Sequence, residues 1–222
     1  MHGTRRHVRR WPVGTVVTCM AMLGAGLSCC SNWAGPLPLG TVNHTRIMID
    51  AKSQAWAEPI ARPGLPNLHK ISGDFYRGAQ PTAEGIEELE ALGVRTVVNL
   101  RDDHDDEPEM RESNLAYKRI PMTAWCVDDE DVVAFLRIAA DKANAPLFVH
   151  CRRGADRTGL AVAAYRIAIQ GWTKDDAVTE MTRGGFRFYS GWRNLVRYLR
   201  NVDVAALRRQ AGIDSSLRHK EN

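Results

Sequence analysis

Residues 146–169 read PLFVHCRRGADRTGLAVAAYRIAI. The opening run, Pro146 to His150, is apolar, short and bounded by proline, the pattern of a buried central strand. Leu160 to Ile169 is apolar and reads as a helix. The loop between them turns from a strand end to a helix start. Such a loop points successive backbone N–H groups into one concavity, and the helix N-terminus adds its partial positive charge. A nest of this kind binds a phosphate dianion. Gly154 permits the backbone turn that a side chain would obstruct. Arg157 brings a planar fork able to hold two phosphate oxygens at once. Cys151 lies at the bottom of the cradle. A thiol titrating near pKa ~8.5 is shifted down by ~1–5 pH units when it faces a helix N-terminus and a guanidinium. The resulting thiolate can attack phosphorus and form a phosphocysteine that water then hydrolyses. Charge building on the equatorial oxygens meets donors already in place. Thr158 can donate its hydroxyl to the sulfur and ease its departure, while His150 holds the loop by hydrogen bonds. The bland alternative is a buried Cys in a structural turn. Residue types, spacing and the strand–loop–helix context together weigh against it.

Upstream, strands alternate with helices. Leu68–Ile71 and Phe75–Arg77 read as short strands around the turn signal Ser72-Gly73-Asp74. Thr82 is placed to cap a helix carrying Ile86, Leu89 and Leu92, and Gly93 ends it. Val94–Leu100 is a β-branched strand. Asp102 to Glu107 is acidic and reads as a solvated loop, with no Gly-turn ligand spacing for a metal. Ala116–Pro121 is a further strand, and 127–143 a helix. After the central motif, Thr173 starts a helix with Asp176 as its capping-box acid, and a last helix runs from about Trp192 to Leu199. The expectation is an α/β domain with a mostly parallel central sheet flanked by helices, in two or three layers. No internal repeat appears. Arg77 and Arg101 are expected to be structural, pairing with acids or carbonyls.

The whole formal excess of charge, +4, equals the four arginines of the first ten residues, so the body is close to neutral. No basic stripe with interleaved aromatics appears there, so nucleic acid is not an expected partner. The basic start precedes an apolar run, Val13 to Cys30, the pattern of a secretory signal. A membrane anchor is the competing reading, and Cys29 or Cys30 after Gly26-Leu27-Ser28 resembles a lipoprotein cleavage site. The expected location is therefore exported, periplasmic or membrane-anchored, with membrane association through the N-terminus. The domain reading is 1–30 signal peptide or anchor, 31–62 linker, 63–205 catalytic domain and 206–222 polar C-terminal tail. Only Cys126 and Cys151 lie in the body, too few for a disulfide framework. If the loop bearing Trp125 and Cys126 folds over the site, Cys126 is a candidate for a reversible bridge to Cys151, and Trp125 for stacking on an aromatic substrate.

HCRRGADRTG (150–159) matches HCxxGxxR[ST]G, the signature of the protein tyrosine and dual-specificity phosphatase superfamily. Residues from about Leu68 to Phe186 resemble its small, bacterial, dual-specificity-like branch, as does FYRGAQPTAEGIEELEALGVRTVVNLR (75–101). The resemblance implies the cysteine-phosphatase fold, hydrolysis of a phosphomonoester, no metal and no cofactor. It implies Cys151 as nucleophile, Arg157 as phosphate-binding residue and Thr158 as hydroxyl partner. The substrate would lie against loop residues Arg152, Arg153, Gly154, Ala155, Asp156 and Arg157. Relatives carry an Asp on the loop after the preceding strand to protonate the leaving oxygen. Here that position holds Thr123 or Ala124. Asp128 comes slightly late and doubles as a helix cap; Asp156, inside the loop, is its rival, and the sequence leaves both open. The implied substrate is a phosphorylated protein. Arg152 and Arg153 keep open a phosphoinositide or inositol phosphate instead. A phosphate-recognition module without turnover is the non-enzymatic alternative, and a sulfurtransferase a further one that the Arg-Thr-Gly ending disfavours.

Overall fold

The computed structural model describes residues 55–213. Six strands form one sheet: β1 (Glu58–Pro59), β2 (His69–Ser72), β3 (Phe75–Ala79), β4 (Thr96–Arg101), β5 (Ala116–Met122) and β6 (Leu147–Cys151). Their order is β1-β2-β3-β6-β4-β5. The first three pair antiparallel, whereas β3, β6, β4 and β5 run parallel. The central strand β6 thus has parallel neighbours on both edges, with Val149 opposite Arg77 on one and Val98 on the other. Its apolar run is explained by that position, because both faces are covered.

The two-residue alternation of the strands divides the core. Val98, Leu147, Val149 and Cys151 join one apolar cluster, Val97 and Phe148 the other. Helix α1 (Ala83–Ala91) and the short α2 (Glu107–Met110) close the second cluster with Ile86, Leu89 and Met110. The first cluster is closed by α3 (Asp129–Ala140), α4 (Asp156–Ala168), α5 (Lys174–Arg183), α6 (Arg193–Asn201) and α7 (Val204–Ala211). Three layers result. At their centre α4 touches α3, α5, α6 and α7, and 11 of its 13 residues are buried. Its glycine and alanines let neighbouring helices approach; a side chain at Gly159 would meet Met181 Cγ at 2.9 Å.

Thr82 and Thr173 accept hydrogen bonds from Gly85 N and Asp176 N, as the capping signals predict. Four boundaries differ from the sequence reading. The central helix begins at Asp156, not Leu160, because the loop residues themselves make its first turn. The helix expected over 127–143 ends at Ala140: the Asp141 side chain accepts from Ala143 N at 2.9 Å and starts a separate 3₁₀ turn. The linker expected to end at residue 62 gives way earlier, since Glu58–Pro59 pairs with Lys70 and His69 and Ala57 is buried. The polar tail expected from residue 206 includes most of α7. Asp203 caps that helix, and Leu207 and Ala211, four residues apart, are buried in the core with Ile213. The expected leader, the linker up to residue 54 and the tail from 214 lie outside the described residues.

A buried ion pair ties the helix layer to the sheet edge. Arg166 Nε and Nη2 donate to the two carboxylate oxygens of Glu180 at 2.9 and 2.7 Å. The guanidinium lies over the Trp172 ring at 4.1 Å, and Glu180 also accepts from Ala57 N at 2.8 Å. In sequence both residues look like ordinary helix charges. Breaking such a pair leaves an uncompensated buried charge, at a cost of ~3–5 kcal/mol. Glu180→Ala is therefore expected to lower stability by about that amount in urea titration monitored by circular dichroism. A change within the ~0.5 kcal/mol of an ordinary surface substitution would show that the pair holds nothing together.

Candidate active site

The loop from Arg152 to Ala155 connects the C-terminal end of β6 to the N-terminus of α4, at the middle of the parallel sheet. Its shape is set from behind. Three successive carbonyls are taken by groups outside the loop. Gln80 N lies 3.5 Å from Arg152 O, Asn67 Nδ2 donates to Arg153 O at 3.0 Å, and Arg77 Nη2 donates to Gly154 O at 2.8 Å. Carbonyls turned outward leave the amide groups facing the concavity. Gly154 has φ +66°, and a Cβ there would come within 2.3 Å of the Gly78 carbonyl, so conformation and contact both require glycine. Arg77 is fully buried beneath the loop, its guanidinium 3.7 Å from the Phe186 ring centre. Burial pushes its pKa down to about 10, so it remains a cation at neutral pH. Asn67 supports the loop from a left-handed conformation, φ 55°, which Asn tolerates better than most residues.

Cys151 closes β6 and is 3% exposed. Burial pushes its thiol up. Opposing this, the Thr158 hydroxyl and backbone N–H, the Arg157 charge and the Arg153 N–H all favour the thiolate, and the net direction is down. The Thr158 hydroxyl is buried and favours the thiolate form of the sulfur. Preceding the nucleophile position, His150 is wholly buried, with Nε2 2.9 Å from Asp106 Oδ2 at an angle outside that of a hydrogen bond. Asp106 is itself buried and accepts from Asn99 Nδ2 at 3.0 Å, and its N–H donates to the Tyr117 hydroxyl at 3.0 Å.

The concavity has a volume of about 560 Å³ and is open to solvent, with Trp125 and Trp192 on its walls. Arg157 Nη1 donates to Asp102 Oδ1 at 2.5 Å and to Met122 O at 3.1 Å. Those contacts anchor one nitrogen and leave Nε and Nη2 without a protein partner among the described residues. Arg152 and Arg153 are exposed at the rim, and Ala155 is buried at the helix start. Asp156 lines the concavity. Its Oδ1 accepts from Tyr189 N at 2.9 Å, and its Oδ2 from Arg153 Nη2 at 3.2 Å. Asp128 does not line it: exposed at the start of α3, it accepts from Glu130 N at 2.9 Å, the work of a helix cap. Asp103 accepts from Arg101 Nε and Nη2, each at 3.0 Å, and this holds its carboxyl at about 2. Cys126 is exposed, and no disulfide joins it to Cys151.

The acidic run 102–107 is the main departure from the sequence reading. It was expected to be solvated throughout, yet Asp102 orients Arg157 and Asp106 sits in the core against His150. The chemical signal available was weak: acids within a few residues of a strand end look alike whether solvated or enclosed. Asn67 was likewise missed. Arg77 and Arg101 pair with a carbonyl and an acid, as expected.

The family model described as DSP-PTPase phosphatase fused to NAD+ kinase matches residues 67–205. The dual specificity protein phosphatase TpbA of Pseudomonas aeruginosa (strain UCBPP-PA14) is 37% identical over 175 residues, 78% of this chain and 79% of TpbA. A crystal structure of a TpbA variant in complex with pTyr matches with a TM-score of 0.64 at 36% identity, covering 72% of this chain and 98% of that one. The inositol diphosphatase DSP5 of Arabidopsis thaliana is 26% identical over 155 residues, 64% of this chain and 72% of DSP5. With the sulfur, guanidinium and amide nest where that chemistry needs them, the chain belongs to the dual-specificity phosphatase family of cysteine phosphatases.

Proposed function

We propose that this chain hydrolyses phosphomonoesters of phosphorylated proteins, phosphotyrosine first among them, through a phosphocysteine on Cys151. The observation that carries the reading is a buried sulfur drawn toward the thiolate inside a cradle of amide donors, beside a guanidinium with two donors unspent. The phosphoryl oxygens would bind the loop amides and the Arg157 fork. The thiolate attacks phosphorus as the bond to the leaving oxygen breaks. That oxygen takes a proton from Asp156. A water then attacks the phosphocysteine, returning a proton to Asp156, and the sulfur leaves as thiolate with the Thr158 hydroxyl donating to it.

Of the two acids the sequence left open, Asp156 is the one in the cavity. It lines the wall beside Cys151 and Arg157, and its charged partner Arg153 is largely solvent-exposed. Trp125 and Trp192 offer aromatic faces to a phosphotyrosine ring, and a relative binds pTyr. A second reading, inositol phosphate hydrolysis, draws on Arg152 and Arg153 at the rim and on the relative named inositol diphosphatase. The basic and apolar leader supports a further proposal, that the protein is exported or held at a membrane through its N-terminus.

Variants of the site residues and a cell fractionation test these readings. Cys151→Ser should abolish turnover of an aryl phosphate while phosphate competition still reports binding. Arg157→Lys should lose ~10²–10³-fold in kcat, because a point charge cannot replace the fork; near-normal rates in either variant would remove the proposed chemistry. Thr158→Val deletes a group that favours the thiolate, so the thiol pKa should rise and the acidic limb of kcat/KM move to higher pH; an unmoved limb contradicts the assignment. Asp156→Asn should lose ~10²–10⁴-fold on phenyl phosphate and far less on an aryl phosphate with a good leaving group. Asp128→Asn should show no such contrast, and the reverse pattern would exchange their roles. Fractionation of cells making the full chain should place it outside the cytosol; an entirely cytosolic distribution rejects export.

A further inference from the structure

A second concavity, about 490 Å³, lies beside the first. The segment from Phe188 to Arg193 forms the wall between them. Trp192 faces the first cavity while Ser190 and Arg193 line the second, and Tyr189 N donates to Asp156. Helix α6 supplies Val196, Arg197 and Arg200, and no acid among the described residues lines the cavity.

Arg193, Arg197 and Arg200 follow the i, i+4, i+7 spacing of one helix face and span about 10 Å along the axis. The helix end favours Arg200, which lies in the last turn of α6, but nothing comparable favours Arg193 or Arg197. Arg193 is the first residue of α6, where the helix end is already positive, and neither a capping side chain nor a first-turn acid offsets it. Arg193 and Arg197 are like charges one turn apart, which destabilises a helix. Neither side chain has a hydrogen-bond or ion-pair partner among the described residues. Arg200 is 3.8 Å from Asp175, both exposed. A solvated face full of cations is ordinary. A row of them lining a cavity with an apolar floor, in a body that is formally neutral, points to an anion.

We propose that this groove holds an acidic segment of the substrate polypeptide, a few residues from the phosphorylated side chain seated over Cys151. The proposal rests on the reading of the first cavity as a phosphomonoester site. An extended chain advances ~3.3 Å per residue, so three or four residues lie along the arginine row. Phe188 and Val196 suit the aliphatic portions of a peptide, whereas an inositol phosphate has no apolar surface to offer them. A concave site also fits a chain better than it fits the flat face of a bilayer.

The test compares two phosphotyrosine peptides, one flanked by glutamates and one by glutamines, with an aryl phosphate as control. The full-length chain should favour the glutamate peptide by about tenfold in kcat/KM, mainly through KM, and added salt should shrink the preference. Arg193→Glu with Arg197→Glu should abolish or invert it, and Arg193→Gln with Arg197→Gln should weaken it. In both variants aryl phosphate turnover should stay within about twofold, because neither residue touches the phosphate cradle. Equal rates on the two peptides, or a preference untouched by both variants, overturns the proposal. Variants that slow an inositol polyphosphate while treating the peptides alike would give the groove to a small polyanion instead. Loss of sedimentation with phosphatidylglycerol vesicles under the same peptide indifference would give it to a membrane. Binding of the peptides to the Cys151→Ser chain, followed by fluorescence anisotropy, separates the two readings. A wild-type chain that hydrolyses nothing, with its Cys151→Ser form still preferring the glutamate peptide, sinks the phosphatase and keeps the groove.

Discussion

A sulfur that is 3% exposed carries negative charge only if the protein replaces the water it has lost. Here the replacement is made of fixed dipoles and one cation: two backbone N–H groups, a hydroxyl and a guanidinium, which together outweigh burial. Each depends on something farther out. The amides face inward because Gln80, Asn67 and Arg77 take the carbonyls of the same loop. The guanidinium is held by Asp102 and the Met122 carbonyl. The dipoles are therefore in place before any ligand arrives, and little reorganisation is left for the moment of reaction.

Arg77 shows how this support reaches through the domain. It stands on β3, beside the central strand, and its guanidinium runs under the loop to Gly154 O and over Phe186. A buried cation costs heavily unless it is paired, and this one also feels the carboxylate of Glu180 and the charge of Cys151, both of which favour its cationic form. Sheet, loop and helix layer thus share one electrostatic arrangement. Asn67 adds a second brace, joining Arg153 O to Phe186 O.

Much of this was legible in the sequence because the deciding interactions are local. Strand, turn and helix follow within two dozen residues from Pro146 to Ile169, and the cradle needs no contact from elsewhere to be recognised. The apolar run of β6, the Thr82 and Thr173 caps and the stop at Gly93 belong to the same class. What escaped was long-range. Asp102 meets Arg157 across 55 positions, and Asp106 is buried only because His150 and Asn99 are there to meet it. A run of acids has the same appearance whether solvated or enclosed. The choice between Asp128 and Asp156 was of the same kind: each stands at a helix start, and only the third dimension puts one of them in the cavity.

The bond from Ala57 N to Glu180, with that from Arg166 Nη2 to Ala55 O at 3.3 Å, fixes where the globular domain begins. A shortened chain must retain residues 55–57, or the most deeply enclosed carboxylate of α5 loses a donor. A cleavage ahead of the domain leaves both contacts in place only if it falls upstream of Ala55.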